Sequence, residues 1–245
     1  MVRRAIPMVT ALIASAVVVT TYNAHGADDQ AVRQLGGQLD PLPTGSSPAA
    51  KVAGSCILHV PSRVAIGRPY TAITLTMSGD CINGGYGSWY VYHPTKGSQE
   101  IAIFNTERTD IWDLYSSHTI GWHTWRAEGA WDVASVDRPQ NSPHSDVRLA
   151  AGAGISSARI GGVVTLTGTS HLYSVSSNSY FRRSAAGVFQ FRERGTTRWK
   201  NLKSVRTNAA GVVSMSYRYS TVRDYRFTVY STPISWDLAS PVTTR

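Results

Sequence analysis

Tyr225-Arg-Phe-Thr-Val-Tyr230 is the stretch from which the fold is read. Strand side chains alternate between two faces, so Tyr225, Phe227 and Val229 share one face while Arg226 and Thr228 take the other. Met215, Tyr217 and Tyr219 repeat the pattern in 212–219, and Phe189 and Phe191 repeat it in 187–192. An apolar face opposite a polar one belongs to an antiparallel sheet wetted on one side.

Working outward, 163–167 completes the strands of the second half. Residues 56–60, 70–77, 88–92, 100–104, 121–125 and 145–149 form a similar series in the first. Pro94-Thr-Lys-Gly97 supplies one turn, and Asp80 with Asn83-Gly84 supplies another. Short strands at this spacing predict antiparallel sandwiches of about 100 residues each. The 245-residue chain therefore has room for two. The Gly/Ala/Ser-rich segment 151–158 reads as a linker between a Trp-rich domain at 51–150 and a basic domain at 159–245. The expected fold class is all-β, with two antiparallel β-sandwich domains in tandem after a signal peptide.

Composition excludes several classes. With 42% hydrophobic and 16% charged residues, wholesale disorder is excluded. Two cysteines exclude a disulfide-dense miniprotein and a four-cysteine zinc site. No apolar run reaches the ~18–20 residues of a spanning helix, so a multi-span membrane protein is excluded and the mature chain has no transmembrane segment. Arg3 and Arg4, the apolar run 5–19, and the small residues Ala24, Gly26 and Ala27 follow the order a signal peptidase reads. Residues 1–27 are thus expected to be a signal peptide, and the mature protein secreted. An uncleaved anchor is the alternative, with an apolar core short for a bilayer. In an oxidising compartment Cys56 and Cys81 are expected to pair rather than act as nucleophiles. Residues 28–50, with Gly36-Gly37, Pro41, Pro43 and Pro48, read as a flexible tether.

Trp199-Lys-Asn-Leu-Lys-Ser-Val205-Arg-Thr207-Asn-Ala-Ala-Gly211-Val-Val, followed by Tyr225-Arg226, resembles the middle of immunoglobulin-like repeats in secreted actinobacterial proteins. The resemblance covers about 160–245. It implies an immunoglobulin-like sandwich of the kind used as a stalk, spacer or adhesion module, and carries over no catalytic residue. The first half lacks the motif, so its sandwich rests on periodicity.

Charge is uneven along the chain. Residues 155–245 hold 13 Lys/Arg against 3 Asp/Glu, whereas 51–150 hold 8 against 9. Arg192 and Arg194 alternate with Phe189 and Phe191, and Arg226 lies opposite Phe227, on strands that neighbour one another in an immunoglobulin-like order. This predicts an anion-binding arginine face extended by Arg198, Lys200, Lys203 and Arg206, against the alternative of an ordinary solvated basic surface. The partner such a face would take is an anionic cell-envelope polymer or acidic glycan; no specific nucleic-acid motif is present.

Trp112, Trp122, Trp125 and Trp131 crowd one region with Tyr115, His118 and His123. They are either glycan-stacking rings or the domain core. Trp122 and Trp125 differ by an odd step, which sends them to opposite faces of one strand. Glu107, Asp110 and Asp113 are spaced for a helical turn or a calcium loop but complete no calcium motif. No HExxH, GxSxG or Walker sequence occurs, so no metal and no cofactor is expected. The expected function is secreted, non-catalytic binding or spacing. The alternative is a secreted hydrolase of cell-wall glycan, with Glu107 and Asp132 of the first domain as its carboxylates.

Overall fold

The structure, a computed structural model, describes residues 54–245 and, upstream, the two-residue strand β1 (Thr21–Tyr22). Apart from β1, the expected signal peptide and the tether at 28–50 lie outside the described residues.

The first domain packs two sheets. One has the order β2 (Cys56–His59), β4 (Tyr70–Gly79), β7 (Thr109–Tyr115). The other runs β3 (Arg63–Ile66), β9 (His144–Leu149), β8 (Gly121–Trp131), β5 (Tyr86–His93), β6 (Gly97–Asn105). Only the β3–β9 pair within these sheets is parallel. Their alternating apolar residues fill the space between: Leu58, Leu75, Met77, Trp112 and Leu114 from the first sheet, and Ile66, Trp89, Phe104, Trp125 and Val147 from the second. Trp89 is fully buried and satisfies its indole by donating to the Asn141 carbonyl (2.8 Å).

The Cys56–Cys81 disulfide joins β2 to the short turn that follows β4, so it staples strands of one sheet. Gly79 makes that turn possible. Its φ of 101° is open to glycine, and a Cβ there would lie 1.9 Å from the Ser55 carbonyl oxygen.

In the second domain, β10 (Ala151–Ile160), β11 (Val163–Ser174) and β15 (Val212–Arg218) form one sheet, with β12 (Ser179–Arg182) on β11 and β1 on β15. The facing sheet has the order β14 (Lys200–Arg206), β13 (Ala186–Glu193), β16 (Arg223–Val229), and β17 (Leu238–Ala239) and β18 (Thr243–Thr244) both pair with β16. Taken along the chain, this is an A-B-E sheet against a C′-C-F-G sheet, the immunoglobulin-like arrangement. Tyr225, Phe227 and Val229 are buried in the core with Phe189, Val164, Leu166 and Tyr217.

One expectation is overturned. Residues 151–158 are not a linker but most of β10, paired with β11 in continuous register from Ala151↔Leu172 to Ile160↔Val163. Small residues are required there because cross-strand side chains lie over them. A Cβ on Gly154 would meet Thr169 Oγ1 at 2.5 Å, and one on Gly152 would meet His171 Cβ at 3.0 Å. Only Ala150 separates β9 from β10.

The two sandwiches therefore meet without slack. The Ala150 N–H donates to the Ile66 carbonyl (2.8 Å), and its own carbonyl accepts from Tyr173 N–H (2.9 Å). Tyr173, from β11, is buried against the first core. Trp236 donates from its indole to the Val64 carbonyl (2.8 Å), while the Arg63 and Arg148 guanidiniums stand 4.1 and 3.9 Å from its ring centroid. Arg63 also pairs with Asp237, and Arg148 donates to Ser231 Oγ (2.8 Å) and the Thr232 carbonyl (2.7 Å).

Two consequences are measurable. Reducing the disulfide, which closes a loop of 25 residues, should destabilise the first domain by about 3–4 kcal/mol through chain entropy, seen as unfolding that begins at a lower temperature. Trp236→Ala removes two cation–π contacts and one hydrogen bond, together about 2–4 kcal/mol. It should split a single calorimetric unfolding peak into two and broaden the interdomain distance distribution in solution scattering.

Candidate functional site

The arginine face takes shape on the outer side of β13 and β16, which pair as neighbours. Gln190 stands opposite Arg226, and Arg192 opposite Asp224. Arg192 donates to the Asp224 carboxylate (3.0 Å), which also accepts from the Thr244 hydroxyl (2.8 Å). Those bonds, Thr244 first and then Arg192, hold the Asp224 carboxyl below the usual carboxylate range. Arg226 donates to Gln190 Oε1 (2.7 Å). Both guanidiniums lie over the Trp199 ring, at 4.8 Å for Arg192 and 4.3 Å for Arg226. Burial, with the Arg192 charge beside it, lowers the pKa of Arg226.

The predicted arginine face thus divides. Arg192 and Arg226 are half-buried members of a stacked, hydrogen-bonded group, whereas Arg194, Arg198, Lys200, Lys203 and Arg206 are exposed. Lys200, Lys203 and Arg206 sit on β14, an edge strand. Cations there also discourage pairing with another chain's strand.

The acids of this domain are spent on arginines one by one. Glu193 pairs with Arg223, Asp224 with Arg192, and Asp237 with Arg63 of the first domain. No other Asp or Glu occurs in 155–245. Arg182, Arg183, Arg194, Arg198, Arg206 and Arg218 are exposed, and among the described residues none of them forms an ion pair. Arg182, Arg183 and Arg218 fell outside the sequence prediction, although Arg182-Arg183 is a visible basic doublet.

The tryptophans do not form one platform. Trp112 and Trp125 are 1% exposed and pack edge to face at 5.2 Å, so neither can stack on a sugar. They are core because β7 and β8 turn these positions inward. Trp122 is 51% exposed beside His144 (4.9 Å), on the face opposite Trp125, as the odd step requires. Trp131 is 40% exposed and stacks on Tyr86 at 4.2 Å. It stands at the far end of β8, roughly 30 Å from Trp122 at strand rise.

Asp132, Asp110 and Asp113 of the first domain are occupied by structure. Asp132 accepts from the N–H groups of Val136 (3.0 Å) and Ala134 (2.9 Å) and pairs with Arg138, and these bonds lower its pKa. Asp110 accepts from the N–H groups of Ile103 and Ile111, and Asp113 from the Tyr70 hydroxyl (2.7 Å). The helical turn or calcium loop considered for this segment is instead strand β7. Glu107 is an exposed loop residue. Among the described residues no group of three His, Cys, Asp or Glu is placed to hold a metal ion.

No protein-family model matches the chain. No curated protein matches it. Among solved structures it is similar to the D0-D1 domain of Intimin, at 13% identity and a TM-score of 0.24, over 78% of this chain and 96% of that one. The D00-D0 domain of Intimin gives 13%, 0.23, 77% and 98%. Strand order places the protein in its class: an all-β chain with two antiparallel sandwiches of immunoglobulin-like type in tandem.

One titration is built into the first core. His123 is fully buried, its Nδ1–H donates to the Gly121 carbonyl (2.9 Å), and Nε2 has no partner. Burial, reinforced by His93 and His118, pushes its pKa below the ordinary 6.5, against the opposing pull of the Gly121 carbonyl and Asp146. The unfolded chain therefore binds more protons than the folded one below pH 6.5. Stability from this residue should be complete above that pH and lost as the pH falls through the folded value. Urea denaturation between pH 5 and 7.5 should show the slope, and His123→Gln should flatten it.

Proposed function

We propose that the chain is a secreted, non-catalytic binding or spacer protein whose basic second domain associates with an anionic cell-envelope polymer or acidic glycan. The observation that carries this reading is charge accounting. The second domain has three acids, each committed to one arginine, and one of those arginines belongs to the first domain. Its exposed arginines are thus left without local neutralisation, and a surface of that kind attracts polyanions. The resemblance of 160–245 to immunoglobulin-like repeats of secreted proteins supports the same role, as does a disulfide suited to an oxidising compartment. The joint through Trp236 suits a spacer, because it fixes one sandwich relative to the other.

The test is retention of the chain lacking residues 1–27 on immobilised polyuronate beside a neutral glucan. Retention on the polyuronate alone, falling about tenfold or more between 50 and 300 mM salt, is the expected result, since screening weakens exposed charges. Equal retention on both supports, or release of glycan fragments that is abolished by Glu107→Gln or Asp132→Asn, would overturn it.

A further inference from the structure

The second domain carries a cleft of about 190 Å³ beside the joint, open to solvent. Its lining includes the apolar residues Ala151, Leu172, Ala186 and Val229, from four strands or their ends. Arg183 and Arg206 also line it, with His171 and Tyr230, and no carboxylate does. Neither guanidinium has a side-chain hydrogen bond or an ion pair among the described residues, unlike Arg192, Arg223 and Arg226. The main chain at both arginines is held by hydrogen bonds. Arg183 N–H donates to the Ser170 carbonyl (3.3 Å), and its own carbonyl accepts from the Ser170 hydroxyl. Arg206 ends β14 opposite Ala186, immediately before the buried Thr207, whose N–H donates to the Ala185 carbonyl.

We infer that this cleft is a binding site for one anionic sugar ring, held as a terminal or side-chain residue of the polymer. The inference rests on the reading of the second domain as a polyanion binder and gives that reading a specific site. Two guanidinium forks lining one cleft with no competing acid select an oxyanion, because each fork can bond two oxygens. The apolar lining and the Tyr230 ring suit the C–H face of a pyranose, which inorganic anions lack. The volume falls below the ~300–1,000 Å³ of sites for larger ligands, so the cleft takes a single ring. A carboxylate or a phosphate ester on that ring would supply the same oxyanion.

The site also borders the joint. Thr232 and Ser235 are among its lining residues, and the Thr232 carbonyl accepts from Arg148 of the first domain. A bound ring would therefore rest on the same segment that seats the two domains.

The experiment titrates the chain lacking residues 1–27 with glucuronate, glucose 6-phosphate and glucose by NMR. Saturable shifts at Arg183, Arg206 and Tyr230 are expected with one or both anionic sugars and not with glucose, and which anion binds distinguishes a carboxylate source from a phosphate one. Arg183→Ala/Arg206→Ala should weaken that binding by at least tenfold, while Arg206→Lys, which keeps charge and loses the fork, should weaken it less. Unchanged far-UV circular dichroism shows that the variants fold, and Arg108→Ala in the first domain serves as an unaffected control. Absence of binding by either anionic sugar, or binding undiminished in the double variant, overturns the cleft. If polyuronate retains the double variant as well as the parent, the cleft fails while the broader reading stands. If the sugars bind at the cleft and no polyanion is retained, the site stands and the broader reading falls.

Discussion

Trp236 is the residue on which the arrangement of the molecule depends. Its indole N–H is committed to Val64, and two first-domain guanidiniums rest against its ring. A tryptophan held in this way offers apolar area, a donor and a quadrupole at one position, and each is used by a different partner. With Ala150 alone between β9 and β10, the chain has no length in which to absorb a rotation. The orientation of the sandwiches is fixed by backbone hydrogen bonds at Ala150 and Leu149, the latter to Ile234, with Trp236 bracing the same segment against Val64, Arg63 and Arg148.

The joint also shapes the electrostatics. Asp237 is one of only three acids in 155–245, and it is spent on Arg63 across the domain boundary. The remaining two are spent on Arg192 and Arg223, and those arginines are further covered by Trp199, Phe191 and Tyr219. Guanidinium tolerates such half-burial because it is weakly hydrated and its flat face packs on rings. Two kinds of arginine result. One kind is architecture, with its charge neutralised or its face stacked; the other is exposed charge facing solvent.

The strand pattern was legible wherever side chains of contrasting size alternate. Tyr225-Arg-Phe-Thr-Val needs no partner to be read, since its period is local. Strand β10 was hidden for the opposite reason: Ala, Gly and Ser carry no contrast, and their smallness answers to Thr169 and His171 on the next strand. Strand β8 shows a third case. Between Ala127 and Gly129 its register against β5 shifts, so parity counted from Trp125 does not carry through to Ala130, which is buried, or Trp131, which is not. The arginine face was half legible. Alternation put Arg192 and Arg226 outside the core, but the bonds that engage them, to Asp224, Gln190 and Trp199, depend on side-chain placement that spacing does not reveal. Trp236 had no local signal at all, because its acceptor lies 172 residues away.

Sheet geometry explains why the uncommitted arginines collect where they do. On the face of a sheet a long cation has neighbours two residues away on its own strand and across on both sides, so it finds an acid, an amide or a ring. Arg192 and Arg226 are of that kind. Arg183 lies in the connection after β12, and Arg206 at the end of edge strand β14, where one side of the strand has no neighbour. Cations at such places keep their hydration and their hydrogen-bonding capacity. A tandem of sandwiches thus separates two settings for one residue type: strand faces use arginine to hold the fold, and strand ends beside the joint leave it exposed and, among the described residues, without an ion pair.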